Sequence, residues 1–238
     1  MLPVFKQSGD HALTVYFENE ISPEINAQVC SLYDSLQKKE IKGVTELLPT
    51  FNALTVFYDP FKISSKSLEK KLTKRLGSST EDKQKAKRVF IIPVCYDEEF
   101  ALDIDNVCRH NSLTRDEVVR IHSSQDYLIY MLGFLPGFAY LGGLDERLHT
   151  PRLKSPRTEI PAGSVGIGGN QTGMYPLASP GGWQIIGKTP LKLFDAQREN
   201  PIFYNAGDYI RFKPISKEEF YLIESDINAQ PEIEEVQL

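Results

Sequence analysis

The stretch from Ile160 to Trp183, IPAGSVGIGGNQTGMYPLASPGGW, sets glycine and proline around a few polar side chains. A phosphate loop would use such glycines to aim backbone N–H groups at an anion, with a lysine for the terminal phosphates and a Ser or Thr for magnesium. Gly168-Gly-Asn-Gln-Thr-Gly173 has the glycine spacing, but Met174 and Tyr175 stand where the lysine and hydroxyl are needed. A dinucleotide fingerprint fails as well, because Gln171 occupies the place of the glycine that opens the helix. A nucleophile elbow needs a strand before its serine and a helix after it; Pro161 precedes Ser164 and more glycine follows. What survives is tight β-architecture, in which glycines supply positive φ and close strand approach. Asn170, Gln171, Thr172, Tyr175, Ser179 and Lys188 are then the polar groups that rigid turns could present to a ligand.

Two flanking stretches extend this set. TPRLKSPR (150–157) carries Arg152, Lys154 and Arg157 among prolines, which reads either as a solvated loop or as a clamp for a carboxylate or phosphate. GFLPGFAYLGGL (133–144) places Phe134, Phe138 and Tyr140 among glycines, either as core packing or as the apolar wall of a pocket. Asp145 and Glu146 are adjacent and would point to opposite faces of an extended chain, which argues against a paired acid and base. Cys30, Cys95 and Cys108 form no C-x-x-C pair, and His11, His110, His122 and His149 have no ligand spacing, so no metal site is expected.

The elements that would position these residues change character along the chain. ALTVYFE (12–18) reads as a strand, Ser22-Pro23 as a helix start, and Ile25, Val29, Leu32 and Leu36 as one apolar helical face. VTELLP (44–49) and ALTVFYD (53–59) read as strands; Leu68, Leu72 and Leu76 mark a second helix stopped by Gly77. This β-α-β-β-α order suggests a split βαβ unit, with RVFIIPVCY (88–96) available either to close it or to open the next domain. The polar run SSTEDKQKAKR (78–88) is the best linker. DIDNVCRHNS (103–112) and the capping box Thr114-Arg-Asp-Glu117 predict two short helices, and DYLIYMLGF (126–134) a buried strand. Of the 16 glycines, 12 fall between Gly133 and Gly187, where short strands and turns suggest a barrel or sandwich. GDYIRFKPI (207–215) reads as its closing strand, and AQPEIEEVQL as a frayed tail.

At 238 residues, 41% hydrophobic, 25% charged and with net charge −5, the composition is that of an ordinary globular protein. It offers no cationic excess for nucleic acid and no membrane-length apolar run, and a cytoplasmic location is expected.

The long run YMLGFLPGFAYLGGLDERLHTPRLKSPRTEIPAGSVGIGGNQTGMYPLASPGGWQIIGKTP resembles the signature of the family that includes the 5-oxoprolinase B subunit, the sporulation-kinase inhibitor KipI and allophanate hydrolase subunit 1. GDHALTVYF, LTVFYDP, IPVCYDEEF and GDYIRFKPI extend the resemblance over nearly the whole chain, although Asp97 to Ala101 replace a glycine-rich turn usual in relatives. The resemblance implies an α+β chain, with a ferredoxin-like domain over 1–83 and a cyclophilin-like β-barrel over 84–238. It implies the A and C subunits of 5-oxoprolinase as partners, and an ATP-dependent opening of 5-oxo-L-proline to L-glutamate, with ATP and Mg serving the assembled enzyme. Inhibition of a sensor histidine kinase, or a part in an allophanate- or urea-processing enzyme, is the alternative. An unstrained lactam is a poor electrophile, so phosphorylating its amide oxygen before water attacks would require anion-stabilising donors. Gln171, Thr172 and Lys188 are the catalytic candidates; Lys154, Arg157, Asn170, Tyr175, Ser179 and Phe138 are the substrate-binding ones.

Overall fold

In the computed structural model, which describes residues 3–20, 22–76 and 87–236, the chain divides into two units, Met1–Lys85 and Ala86–Leu238. The first contains β1 (Val4–Gln7), β2 (Ala12–Tyr16), α1 (Pro23–Lys38), β3 (Val44–Pro49), β4 (Ala53–Tyr58) and α2 (Ser65–Leu76). The Ile25 N–H donates to the Ser22 hydroxyl at 3.2 Å, and Pro23 opens the first turn of α1, whose first N–H groups need no helical partner. Val29, Leu32 and Leu36 of α1 and Leu68 and Leu72 of α2 pack on Leu13, Val15, Leu54 and Val56 of the sheet. That sheet is antiparallel, in the order β1-β2-β4-β3. The predicted stop at Gly77 and most of the linker 78–88 lie outside the described residues.

β5 (Lys87–Val94) does not complete this sheet; the edge beside β2 belongs to β1, brought there by a four-residue turn through Gly9. Val89, Phe90, Ile91, Ile92 and Val94 are all buried, so β5 is apolar on both faces and suits the interior of a larger sheet.

The second unit continues with α3 (Ile104–Asn111), α4 (Arg115–His122), β6 (Asp126–Leu132), β7 (Ala139–Gly142), β8 (Arg157–Ile160), β9 (Ser164–Gly168) and β10 (Gln171–Met174). β11 (Ser179–Gly181), β12 (Gln184–Lys188), β13 (Tyr209–Pro214), α5 (Lys217–Glu224) and β14 (Glu232–Val236) follow. The sheet order is β12-β9-β10-β7-β6-β13-β5-β14, antiparallel except for β13 beside β5, and β8 pairs with β11 separately. The sheet curls so far that Cys95, just beyond β5, exchanges two 2.9 Å backbone hydrogen bonds with Lys188 at the end of β12. The fold is mixed α+β. Phe90, Ile92, Ile129, Leu141, Val165, Ile167, Met174 and Phe212 line the inside of the curl, closed by Val107 of α3 and Val118 and Ile121 of α4.

Two expectations for the C-terminal part change. The strand over 207–215 sits inside the sheet, between β6 and β5. The acidic tail is the edge strand β14, because Glu235 and Val236 fall opposite Arg88 and Lys87 and Glu234 accepts from Arg211 at 2.8 Å. α5 enters through a second capping box, Ser216 with Glu219. Its Phe220 stacks on Phe100 at 4.3 Å, and Lys217 and Tyr221 both bond Glu99, so side chains of α5 hold the turn that lacks the usual glycines.

Candidate functional site

The glycine run forms the hairpin of β9 and β10, turning at Gly169 (φ +70°) and Asn170. Strand alternation sends Val165, Ile167, Thr172 and Met174 inward and leaves Gly166, Gly168 and Gly173 on the outer face. The indole of Trp183 lies across Gly168 and Gly173, and its Cβ and Ile185 cover Gly166. A Cβ at Gly168 would sit 2.5 Å from both Cε2 and Nε1 of the ring, and one at Gly173 would sit 3.1 Å from Cζ3. The bare backbone is a floor cut to the ring.

Phe138, Ile160, Tyr175 and Ile185 pack around Trp183 as a cluster separate from the main core. Phe138 meets Trp183 at 5.7 Å and 81° and Tyr175 at 5.4 Å and 84°, the edge-to-face geometry that ring quadrupoles favour. Tyr140 packs 5.0 Å from Phe138, and the Arg152 guanidinium lies 5.9 Å above the Trp183 ring. Burial pushes the Tyr140 and Tyr175 phenols up, and the Arg152 charge opposes the rise in both.

Four of the expected residues meet on this face. Phe138 and Tyr175 belong to the cluster itself. Ser179 pairs with Ile160 across the β11–β8 ladder; it is 7% exposed, and its hydroxyl has no hydrogen-bond partner among the described residues. Gln171 lies opposite Gly168, which puts its side chain on the outer face beside the indole. Asn170 is exposed at the hairpin tip, and Lys154 is exposed on the loop before β8.

The other three are used elsewhere. Thr172 has no exposed surface, because β10 turns it into the core. Arg157 forks onto Asp103 at 2.7 and 2.9 Å, and the same carboxylate, 4% exposed, accepts from the Ile185 N–H. The expected anion clamp is therefore neutralised within the chain. Lys188 lies at the far end of β12, its ammonium 5.4 Å from the Phe220 ring and 3.8 Å from Glu224.

Thr172 also explains His122. Its hydroxyl donates to Gly166 O at 3.2 Å, so it accepts from His122 Nε2 at 2.8 Å, and Nδ1 accepts from the Tyr96 hydroxyl at 2.8 Å. Fully buried and stacked 4.4 Å on Phe212, the ring is held neutral, its pKa pushed down to about 3 by burial. Nothing in sequence spacing ties Tyr96, His122 and Thr172 together. Trp183 and Arg152 stand inside the stretches the sequence marks, but the glycine floor that makes them neighbours exists only once β9, β10 and β12 are in register.

The run from Gly168 to Gly173 does not fit a nucleotide phosphate, since strand follows it and the indole covers its outer face. Among the described residues no three His, Cys, Asp or Glu side chains are grouped to hold a metal ion, and no helix is long and apolar enough to cross a membrane.

Residues 3–204 match the family model of the carboxyltransferase domain, subdomain C and D. The chain is 42% identical to the 5-oxoprolinase B subunit of Bacillus subtilis (strain 168), over 94% of this chain and 97% of that protein. It is 45% identical to the 5-oxoprolinase B subunit of Escherichia coli O157:H7, over 87% and 93%. The structure of Kluyveromyces lactis urea carboxylase superposes with a TM-score of 0.81 at 24% identity, covering 98% of this chain and 24% of that one, which speaks for the fold. The curled sheet, the glycine floor under Trp183 and these matches along most of the sequence lead to one conclusion: the chain belongs to the carboxyltransferase-domain subdomain C and D family and is a relative of the 5-oxoprolinase B subunits.

Proposed function

We propose that the chain is the B subunit of an ATP-dependent 5-oxoprolinase, which hydrolyses 5-oxo-L-proline to L-glutamate in the cytoplasm together with the A and C subunits. The observation that carries this reading is the 42% identity to a protein of that name over nearly its whole length. The domain boundary near residue 84 and the finer fold names are part of the same reading. A ferredoxin-like first domain is supported by the order β1-β2-β4-β3, in which β1 takes the edge usually filled by a strand after the second helix. A cyclophilin-like barrel is supported by the bridge between Cys95 and Lys188.

The outer face of β9, β10 and β7 is this chain's contribution to the site. Tyr175 and Ser179 supply hydroxyls, Phe138 an apolar wall, and Gln171 an amide that can meet a lactam's C=O or N–H in complementary geometry. Asn170 and Lys154 flank it as exposed polar groups. Thr172, Arg157 and Lys188 are assigned to holding the fold. When bound to the assembled enzyme, nucleotide would supply the phosphoryl group for the lactam oxygen; in this reading a partner subunit would hold its phosphates, because the glycine run here is closed by Trp183. This chain's groups orient the lactam and exclude water until activation.

Mixing the purified chain with its cognate A and C subunits should give glutamate release from 5-oxo-L-proline that depends on ATP and on this chain. Release that is unchanged when the chain is left out refutes the reading.

A further inference from the structure

The outer face of the second unit holds an arginine whose charge no acidic group among the described residues answers. Arg157 is neutralised by Asp103, and Lys188 has Glu224 at 3.8 Å, whereas Arg152 makes no ion pair among the described residues. Its guanidinium is nevertheless placed, stacked above the Trp183 ring, where the indole face takes up the cation and leaves the planar N–H edges free to fork onto an anion. Beside it stand two phenols. Burial pushes both phenols up and so keeps each O–H protonated, with the Trp183 backbone N–H and the Arg152 charge opposing the rise at Tyr175 and the Arg152 charge opposing it at Tyr140. On the same cluster the Ser179 hydroxyl is more than nine-tenths buried and has no partner among the described residues. At its edge Phe134 holds a left-handed backbone, φ +66°, with its ring 64% exposed and 5.7 Å from Phe138. A bulky residue kept in that conformation carries strain that a merely structural turn would avoid by using glycine.

We propose that Arg152, with the hydroxyls of Tyr140 and Tyr175, is the subsite for the carboxylate of a small cyclic amide acid, whose ring rests against Phe134 and Phe138 and whose amide is met by Gln171 and Ser179. A forked guanidinium backed by two phenol donors matches the two oxygens of one carboxylate, and aromatic edges suit a small flat ring. The inference rests on the 5-oxoprolinase reading for the identity of that acid. Under it, Arg152 fixes which end of 5-oxo-L-proline faces this chain, and selects substrates that carry the carboxylate over plain lactams. Arg152, Tyr140 and Phe134 are then specificity-determining residues.

Trp183 is the single tryptophan of the chain, so its emission reports on this cluster directly. The test is a fluorescence titration of the full chain with 5-oxo-L-proline and with 2-pyrrolidinone, the same ring without the carboxylate. Saturable change is expected with the acid, and at least about tenfold weaker binding with the plain lactam, as for a lost charge-assisted pair. Arg152→Gln should weaken the acid by a similar factor and Tyr140→Phe by less, both with an unchanged melting temperature, because Arg152 is exposed and the partly buried Tyr140 keeps its ring. In the assembled enzyme Arg152→Gln should raise KM for 5-oxo-L-proline more than it lowers kcat. Equal binding of acid and lactam, wild-type affinity in the arginine variant, or no saturable response to the acid overturns the subsite. If the assembled enzyme does not hydrolyse 5-oxo-L-proline, the functional reading fails, while the titration still decides whether the carboxylate site exists.

Discussion

Gly168→Ala adds a single methyl group to the face of β9 that carries Trp183. The new Cβ would lie 2.5 Å from Cε2 and Nε1 of the indole, closer than real side-chain contacts come, and the ring is confined by Phe138 and Tyr175 and only 5% exposed. Overpacking of this kind costs about 1–3 kcal/mol, against which alanine recovers roughly 0.5–1 kcal/mol of the entropy that glycine loses in a strand. A net loss of about 1–2 kcal/mol remains, or roughly 2–8 °C of melting temperature for a unit of this size. The ring must move, so the emission of the only tryptophan should shift as well. Gly169→Ala is the control: it carries the left-handed φ of +70° but has nothing within 4 Å of the added carbon, so it should cost about 1 kcal/mol of backbone strain without altering the emission. Adding Trp183→Leu to Gly168→Ala should remove most of the alanine's cost, as a double-mutant cycle on thermal melts would show. If Gly168→Ala melts and emits like the unaltered protein, the glycine floor is not what positions the aromatic face.

The remaining predictions concern the groups that the fold uses internally. The pKa of His122 is depressed to about 3 from an ordinary 6.5, so the native state favours the neutral ring; its contribution is complete above pH 6.5 and is lost as pH falls towards 3. Urea unfolding should therefore lose about 1.4 kcal/mol per pH unit below 6.5 from this residue, and His122→Gln should flatten that slope; an identical slope in the variant counts against a buried neutral histidine. Arg157→Ala should lower stability by about 2–4 kcal/mol, because it leaves the buried Asp103 carboxylate without its cation, and Arg157→Lys should recover only part of this. An alanine variant that keeps its melting temperature but loses turnover would return Arg157 to the substrate.

Much of the local structure was legible in the residues themselves. The apolar face of α1, the Thr114–Glu117 capping box and strands β2 to β4 follow from periodicities and caps that act within a few residues. The same local chemistry excluded a phosphate loop and a nucleophile elbow and marked the stretch from Ile160 to Trp183 as tight β-architecture. Pairing partners were a different matter. Whether β5 closed the first sheet depended on β13, more than a hundred residues later, and the tail is a strand along the β5 edge, where Glu235 falls opposite Arg88 and Glu234 accepts from Arg211.

The candidate site divides in the same way. Residue types marked Tyr175, Ser179, Phe138 and Gln171 as able to bind, but the facing of each strand decided which could. Thr172 and Gln171 are neighbours in sequence, and alternation buries the first against His122 while the second stands beside the indole. Arg152 and Arg157 are five residues apart, yet Asp103, 54 residues from Arg157, takes that cation and leaves Arg152 stacked on Trp183 with no ion pair among the described residues. Composition and spacing thus determined which side chains were available. Register between distant strands decided which of them were consumed by the fold and which stayed on the outer face, because a hydrogen bond or ion pair across a sheet depends on proximity that no local pattern encodes.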